Sequence, residues 1–253
     1  MYCRTTYRTS VMGLDLGYSK HPSALALLTD TEQIQSPYTW ADPTHPKLSH
    51  WILSYAKVWP TNTPFTNIAR ETIALAASYK RQQPNGMLYI VPDTTGLGTP
   101  VLESLYHARK AAQVPATIEG LIFTGGHTVS SHKHHNYGLD IYHVPKLQLL
   151  NSLSLALESG LLKIPTDLPE RDILHAQLAA LEVHYPSKSG SQRGPSATQA
   201  GLDTTTNRDP IVRLNPDSLR DNPQILGHAD LVMSLAIATW RLQLRLRPSI
   251  KLL

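Results

Sequence analysis

Short apolar runs punctuated by glycine, proline and acids dominate the first half of the chain. Val11-Met12-Gly13-Leu14-Asp15-Leu16-Gly17 and Ser23-Ala24-Leu25-Ala26-Leu27-Leu28 predict two adjacent strands joined by a turn, and residues from about Ile34 to Trp40 predict a third. Thr66 to Arg81 is rich in alanine and carries Ile68, Ile73, Ala76 and Ala77 at close to helical spacing, so a crossover helix is expected there. Met87 to Asp93 reads as a buried strand ending in an acid. A glycine-rich turn, a helix from about Pro100 to Ala112 and a strand over Thr117 to Thr124 follow.

In the second half, Val144 to Gly160 places Leu147, Leu150, Leu153 and Leu157 on one helical face, with Gly160 as the stop. Arg171 to Val183 is periodic without separating helix from strand. Tyr185 to about Gly227 is rich in Pro, Ser, Thr, Gly and Asn and reads as a flexible loop or insertion rather than a domain. A last apolar helix runs from Asp230 to about Leu244 and turns basic at Arg241, Arg245 and Arg247. Strands first and strand-helix alternation later predict an α/β or mixed sheet with helices on its faces.

Composition narrows the class. The 253 residues, 41% of them hydrophobic, suffice for one core without disulfides or structural metal. The single cysteine, Cys3, excludes a disulfide framework and any Cys-x-x-Cys zinc site. A net charge of +4 permits a polyanionic partner. The longest apolar-rich stretch, Leu231 to Trp240, is far short of the roughly 20 residues that span a bilayer, so a soluble cytoplasmic protein with no membrane partner is expected.

Asp15, Asp93 and Asp230 each stand at a strand end or helix start beside apolar neighbours. Carboxylates gathered this way repel one another unless a hard cation joins them, so Mg²⁺ or Mn²⁺ is the expected cofactor. Two such ions about 4 Å apart activate water and stabilise a departing oxygen in phosphodiester cleavage. Gly17 and Gly96-Leu97-Gly98 leave room for a phosphate backbone, since glycine has no side chain to collide. Each acid alone also has a structural reading: Asp15 as a turn residue, Asp93 as a turn or cap carboxylate, Asp230 as a helix cap.

Gly13-Leu14-Asp15-Leu16-Gly17, Val91-Pro92-Asp93-Thr94-Thr95-Gly96-Leu97-Gly98 and His228-Ala229-Asp230-Leu231-Val232-Met233-Ser234-Leu235-Ala236 together resemble the C-terminal nuclease domain of the large terminase subunit of tailed bacteriophages. Val144-Pro145-Lys146 and Gly160-Leu161-Leu162-Lys163-Ile164-Pro165 are similar to that family's connecting region. The resemblance implies an RNase H-like domain spanning 1–253, a mixed central sheet flanked by helices, with the loop at about 185–227 as an embellishment. It implies a metal-dependent endodeoxyribonuclease that cuts concatemeric viral DNA during packaging. Asp15, Asp93 and Asp230 would be its metal-binding catalytic acids and His228 a further ligand, because Ala229 stands where many members carry a second acid. Double-stranded DNA, a separate ATPase chain, the small terminase subunit and the portal are the implied partners. The chain has no Gly-Lys dipeptide and so no phosphate loop of its own, which leaves a separate nuclease module or a prophage remnant.

Two other classes compete. Asp15-Leu16-Gly17 and Asp93 to Gly98 also resemble the phosphate loops of actin-like and sugar-kinase-like nucleotide-binding proteins, and Ala229 leaves open a catalytically silent binding module. Arg241, Arg245, Arg247 and Lys251 are candidate phosphate contacts on DNA or simply a basic helix end favoured by the dipole, and Lys146 and Lys133 are weaker candidates. His127, His132, His134 and His135 fit no zinc motif and read as a solvated polar loop. Trp40, Trp51, Trp59 and Trp240 read as core or interface residues rather than base-stacking platforms.

Overall fold

The computed structural model describes residues 3–17, 19, 21–35, 48–96, 98–184, 211–214 and 229–246. Three long strands, β1 (Cys3–Asp15), β2 (Ser23–Gln35) and β3 (Leu48–Trp59), form an antiparallel meander. Helix α1 (Phe65–Gln82) then crosses to β4 (Met87–Pro92), which lies parallel to β1 on its other side. Helix α2 (Gly98–Ala111) leads to β5 (Thr117–Ile118), parallel to β4. With the short β9 (Leu162–Lys163) beside β3, the order across this six-stranded sheet is β5-β4-β1-β2-β3-β9. This mixed central sheet flanked by helices is the expected fold class.

A second, three-stranded sheet is built from β6 (Gly120–Thr124), β7 (Ser130–Lys133) and β8 (Asp140–Pro145), in the order β6-β8-β7. From β8 the chain passes directly into α3 (Lys146–Glu158). Helix α4 (Arg171–Ala179), the pair β10 (Leu181–His184) and β11 (Ile211–Leu214), and α5 (Asp230–Leu246) complete the described elements. No helix among the described residues is long and apolar enough to cross a membrane.

Four expectations change. The third strand is Leu48–Trp59, because Ile34 belongs to β2, whose polar residues Thr29, Asp30, Thr31 and Glu32 are buried between two neighbouring strands. Thr117 to Thr124 divides between two sheets at Glu119, a buried acid held by Arg241. Within the span expected as a loop, Ile211–Leu214 pairs antiparallel with Leu181–His184; residues 185–210 and 215–227 lie outside the described residues. The histidine-rich segment is partly strand, and His134 is buried rather than solvated. Trp51, Trp59 and Trp240 are core residues, while Trp40 lies outside the described residues.

Strand alternation divides the core in two. Val11, Ala24, Ala26, Leu28 and Val91 face α3, α4 and α5, whereas Met12, Leu14, Leu25, Leu27 and Ile90 face α1 and α2. Helix α5 is buried on every side from Asp230 to Leu242, as a helix apolar all round should be. It lies on a floor of small residues, in which Gly13 is flanked by Ala26 on β2 and Val91 on β4. A Cβ on Gly13 would run into the Ser234 carbonyl and come within 2.8 Å of the Ala238 nitrogen, both of them backbone atoms of α5.

Gly13→Ala is therefore expected to destabilise the chain by about 1–3 kcal/mol, the range for overpacking a core. Urea denaturation followed by tryptophan fluorescence checks this; a midpoint equal to wild type would mean α5 does not rest on β1 through this residue.

Candidate active site

The alternation that sorts the core also aims the acids. Asp15 lies two residues beyond Gly13, and Asp93 two beyond Val91, so both fall on the α5 side of the sheet. The Asp93 amide donates to the Leu14 carbonyl at 2.7 Å, which sets Asp93 beside the end of β1. On α5, Asp230 precedes Ser234 by four residues. Four helical residues advance about 6 Å and two strand residues about 6.7 Å. Seating Ser234 over Gly13 thus carries Asp230 to the level of Asp15, and the helix runs antiparallel to β1.

The electrostatics register this convergence. Burial raises the Asp15 carboxyl well above the ordinary 3.8, and the charges of Asp230 and Asp93 raise it further. Burial also pushes Asp93 up to about 6 against the hydrogen bonds it receives from Thr95, and Asp230 up to about 7. Asp93 and Asp230 are only 7% and 6% exposed. One Asp93 oxygen, Oδ1, accepts from the Thr95 amide at 2.8 Å, the Asx turn anticipated for it. That turn is stitched to the second sheet: the Thr94 hydroxyl donates to the Leu121 carbonyl at 3.0 Å, and Thr95 Oγ1 accepts from the Phe123 amide at 2.7 Å. Asp230 Oδ2 is buried with no hydrogen-bond partner.

An orphaned carboxylate oxygen and two neighbouring carboxyls raised in pKa make a hard-oxygen donor set, which fits Mg²⁺ or Mn²⁺ better than an imidazole- or thiolate-seeking ion. The three carboxylates do not close on one point as they stand; among the described residues no three His, Cys, Asp or Glu side chains do. Lys146 is the cation of the site. As the first residue of α3, at the end of β8, it lowers the pKa of all three acids, and its Nζ sits 5.8 Å from the centre of the Phe123 ring.

The remaining candidates go elsewhere. Arg241 does not face solvent: it is 8% exposed, its guanidinium donates to both Glu119 oxygens, one bond at 2.8 Å, and it lies 3.9 Å from the centre of the Tyr89 ring. Buried and paired in this way, the guanidinium is held inside the fold rather than on a surface that DNA could touch. Arg245 belongs to α5 but its side chain, like His228, Arg247 and Lys251, lies outside the described residues. Lys133 is exposed and paired with Asp140 at 2.7 Å. Gly17 opens no path for a phosphate, because the β1–β2 turn already fills that space with the His21 and Pro22 carbonyls. Gly96, at φ +73° with nothing near its missing side chain, is an open turn position.

No protein-family model and no curated protein sequence matches the chain. Among solved structures it is similar to the human cytomegalovirus terminase nuclease domain. The Mn-soaked form is 12% identical, with a TM-score of 0.43 over 92% of this chain and 82% of that one. The Mn-soaked, inhibitor-bound form is 10% identical, with a TM-score of 0.43 over 67% and 74%. The chain is also similar to Thermus thermophilus RuvC, at 14% identity and a TM-score of 0.25 over 44% and 62%.

Two expectations follow. Breaking the Arg241–Glu119 pair with Arg241→Met leaves a buried unpaired carboxylate and should lower stability by roughly 3–5 kcal/mol; an unchanged denaturation midpoint would return Arg241 to the surface. The second concerns pH. The folded chain keeps protons on Asp93 and Asp230 up to about 6 and 7, against 3.8 ordinarily, so it binds more protons than the unfolded chain in that window. Stability contributed by these groups falls as pH rises through the window and levels off above it. The metal-free melting temperature should drop from pH 5 to pH 8, less so in Asp230→Asn, and Mn²⁺ should raise it at pH 8 but hardly at pH 5. Equal Mn²⁺ shifts in wild type and Asp230→Asn would contradict the assignment.

Proposed function

We propose that the chain is a divalent-metal-dependent DNA endonuclease whose catalytic acids are Asp15, Asp93 and Asp230. The observation that carries the reading is the convergence of these carboxyls, from three distant segments, at the carboxyl ends of β1 and β4, with Asp230 Oδ2 buried and unpartnered. A structural role would pair that oxygen; a metal site keeps it open. Bound there, one or two Mg²⁺ or Mn²⁺ ions would supply charge stabilisation of the phosphodiester and lower the pKa of an attacking water. The chain's own contribution is to hold and orient. Asp15 and Asp93 are fixed by neighbouring strands and Asp230 by the seated helix. The Asx turn at Asp93 fixes its carboxylate through the Thr95 amide, which donates to Oδ1. Lys146 places a positive charge where a phosphate must enter, which both draws the backbone in and limits the repulsion it meets.

The substrate in this reading is duplex DNA, cut with little sequence preference. By the resemblance to phage terminases the work is DNA packaging in a host cytoplasm, with the motor supplied by a separate ATPase chain and with the small subunit and portal as partners.

The test is cleavage of supercoiled plasmid in Mg²⁺ or Mn²⁺. The wild-type chain should nick or linearise it, and Asp93→Asn should lose about a hundredfold or more, the scale for removing a central electrostatic element. Wild type and Asp93→Asn cutting alike, or both remaining inert, would count against an autonomous nuclease.

A further inference from the structure

Outside the acidic crevice, the second sheet carries a pair of imidazoles that strand pairing brings together. His132 lies on β7 and His143 on β8; Ser130 is the register partner of His143 and Ile141 that of His132, so the two histidines face each other diagonally across the ribbon. His143 Nε2 and His132 Nδ1 are 3.1 Å apart, with ring centres at 5.1 Å. Two metal–nitrogen bonds of about 2.05 Å hold their nitrogens about 2.9 Å apart at a right angle and about 3.35 Å apart at a tetrahedral angle. The observed separation falls between the two. In the metal-free protein the nitrogens share a hydrogen bond, and a cation would displace the shared proton, as ligation by imidazole requires.

The surroundings suit an exchangeable ion. Strand β7 is the outer strand of its sheet, and all four of its residues are exposed, so water can complete the coordination. Both rings can turn their lone pairs toward a common point without disturbing the core: His132 is exposed and His143 half-buried. Imidazole nitrogens select zinc, copper or nickel over magnesium, so this pair and the carboxylates of the crevice would take different metals. We propose that His132 and His143 form a two-histidine site for a transition ion of the zinc class. Its occupancy would pin the free edge strand β7 to β8, the strand that runs into Lys146.

Zn²⁺ titration by calorimetry in excess Mg²⁺, which occupies carboxylate sites, tests it on the full chain. Because the sequence holds 12 histidines, the variants decide the outcome. His132→Ala and His143→Ala should each weaken the tightest Zn²⁺ binding by roughly tenfold or more, since a chelate loses its effective-concentration advantage with either arm. The double variant should bind no more weakly than either single one, and His135→Ala should bind as wild type. Added Zn²⁺ should raise the melting temperature of wild type and His135→Ala but not of the other three. Wild-type affinity in either single variant, or losses that add in the double, would overturn the site. Equal metal-free melting temperatures across the set exclude misfolding as the cause of any loss.

Discussion

The close seating of α5 on β1 is the constraint from which the rest of the site follows. A helix backbone can lie directly on a sheet only where the sheet offers almost no side chain, and here Gly13 has none while Ala24 and Ala26 on the next strand have little. Lifting the helix by even a methyl group would separate Asp230 from the strand acids and open a layer that Leu231, Leu235 and Ile237 now fill completely. The far end is pinned by different chemistry. Arg241 reaches Glu119 at the junction between the two sheets, so one helix is held by packing at its start and by a buried ion pair three turns later. Both contacts bear on residues next to the site: Gly13 two before Asp15, and Glu119 two before Leu121, the bridge partner of Asp93.

Holding three carboxyls in such a place opposes stability. Each is raised in pKa by burial, and Lys146 offsets only part of that penalty. A fold selected for stability alone would replace one of them with an apolar residue or pair each with its own base, as it does with Arg241 and Glu119. The contrast within one helix is informative: the buried charge at position 241 is paired with Glu119, while the Asp230 carboxylate keeps an oxygen bare. Unresolved polar strain of this kind collects where a ligand or reaction completes the bonding.

Much of this was legible in the sequence, and the failures have physical causes. Apolar runs ending in acids marked β1 and β4, and the periodicity of 66–81 and 230–244 marked α1 and α5, because each is a local pattern set by one buried face. The third strand was misplaced because β2 continues through Thr29, Asp30, Thr31 and Glu32, polar residues that a sheet interior accepts when neighbouring strands and side chains supply partners, as Ser49 does for Asp30. The burial of Arg241 is invisible in the sequence for a related reason. Nothing local in Trp240-Arg241-Leu242 announces that Glu119, 122 residues away, will meet its guanidinium. Gly17 reads as room for a ligand, whereas its own turn needs the space. The histidine pair was equally hidden, since spacing along the chain cannot show that His143 lies across a ribbon from His132.

In the sequence Lys146 is one of the weaker basic candidates, yet the fold gives it a different standing. It begins α3 immediately after Pro145, whose fixed φ suits the entry to a helix, so its position is set by the last residues of β8 rather than by a loop. Strand β8 is parallel to β6, and β6 is tied to the Asp93 turn through Leu121 and Phe123. The cation follows β8, and the turn that carries the acid is hydrogen-bonded to β6, the neighbouring strand, so the small sheet links the two. A lysine on a surface helix would wander over several ångströms and lend diffuse attraction. One held at a strand end beside three carboxyls supplies a fixed charge that offsets part of the cost of burying them.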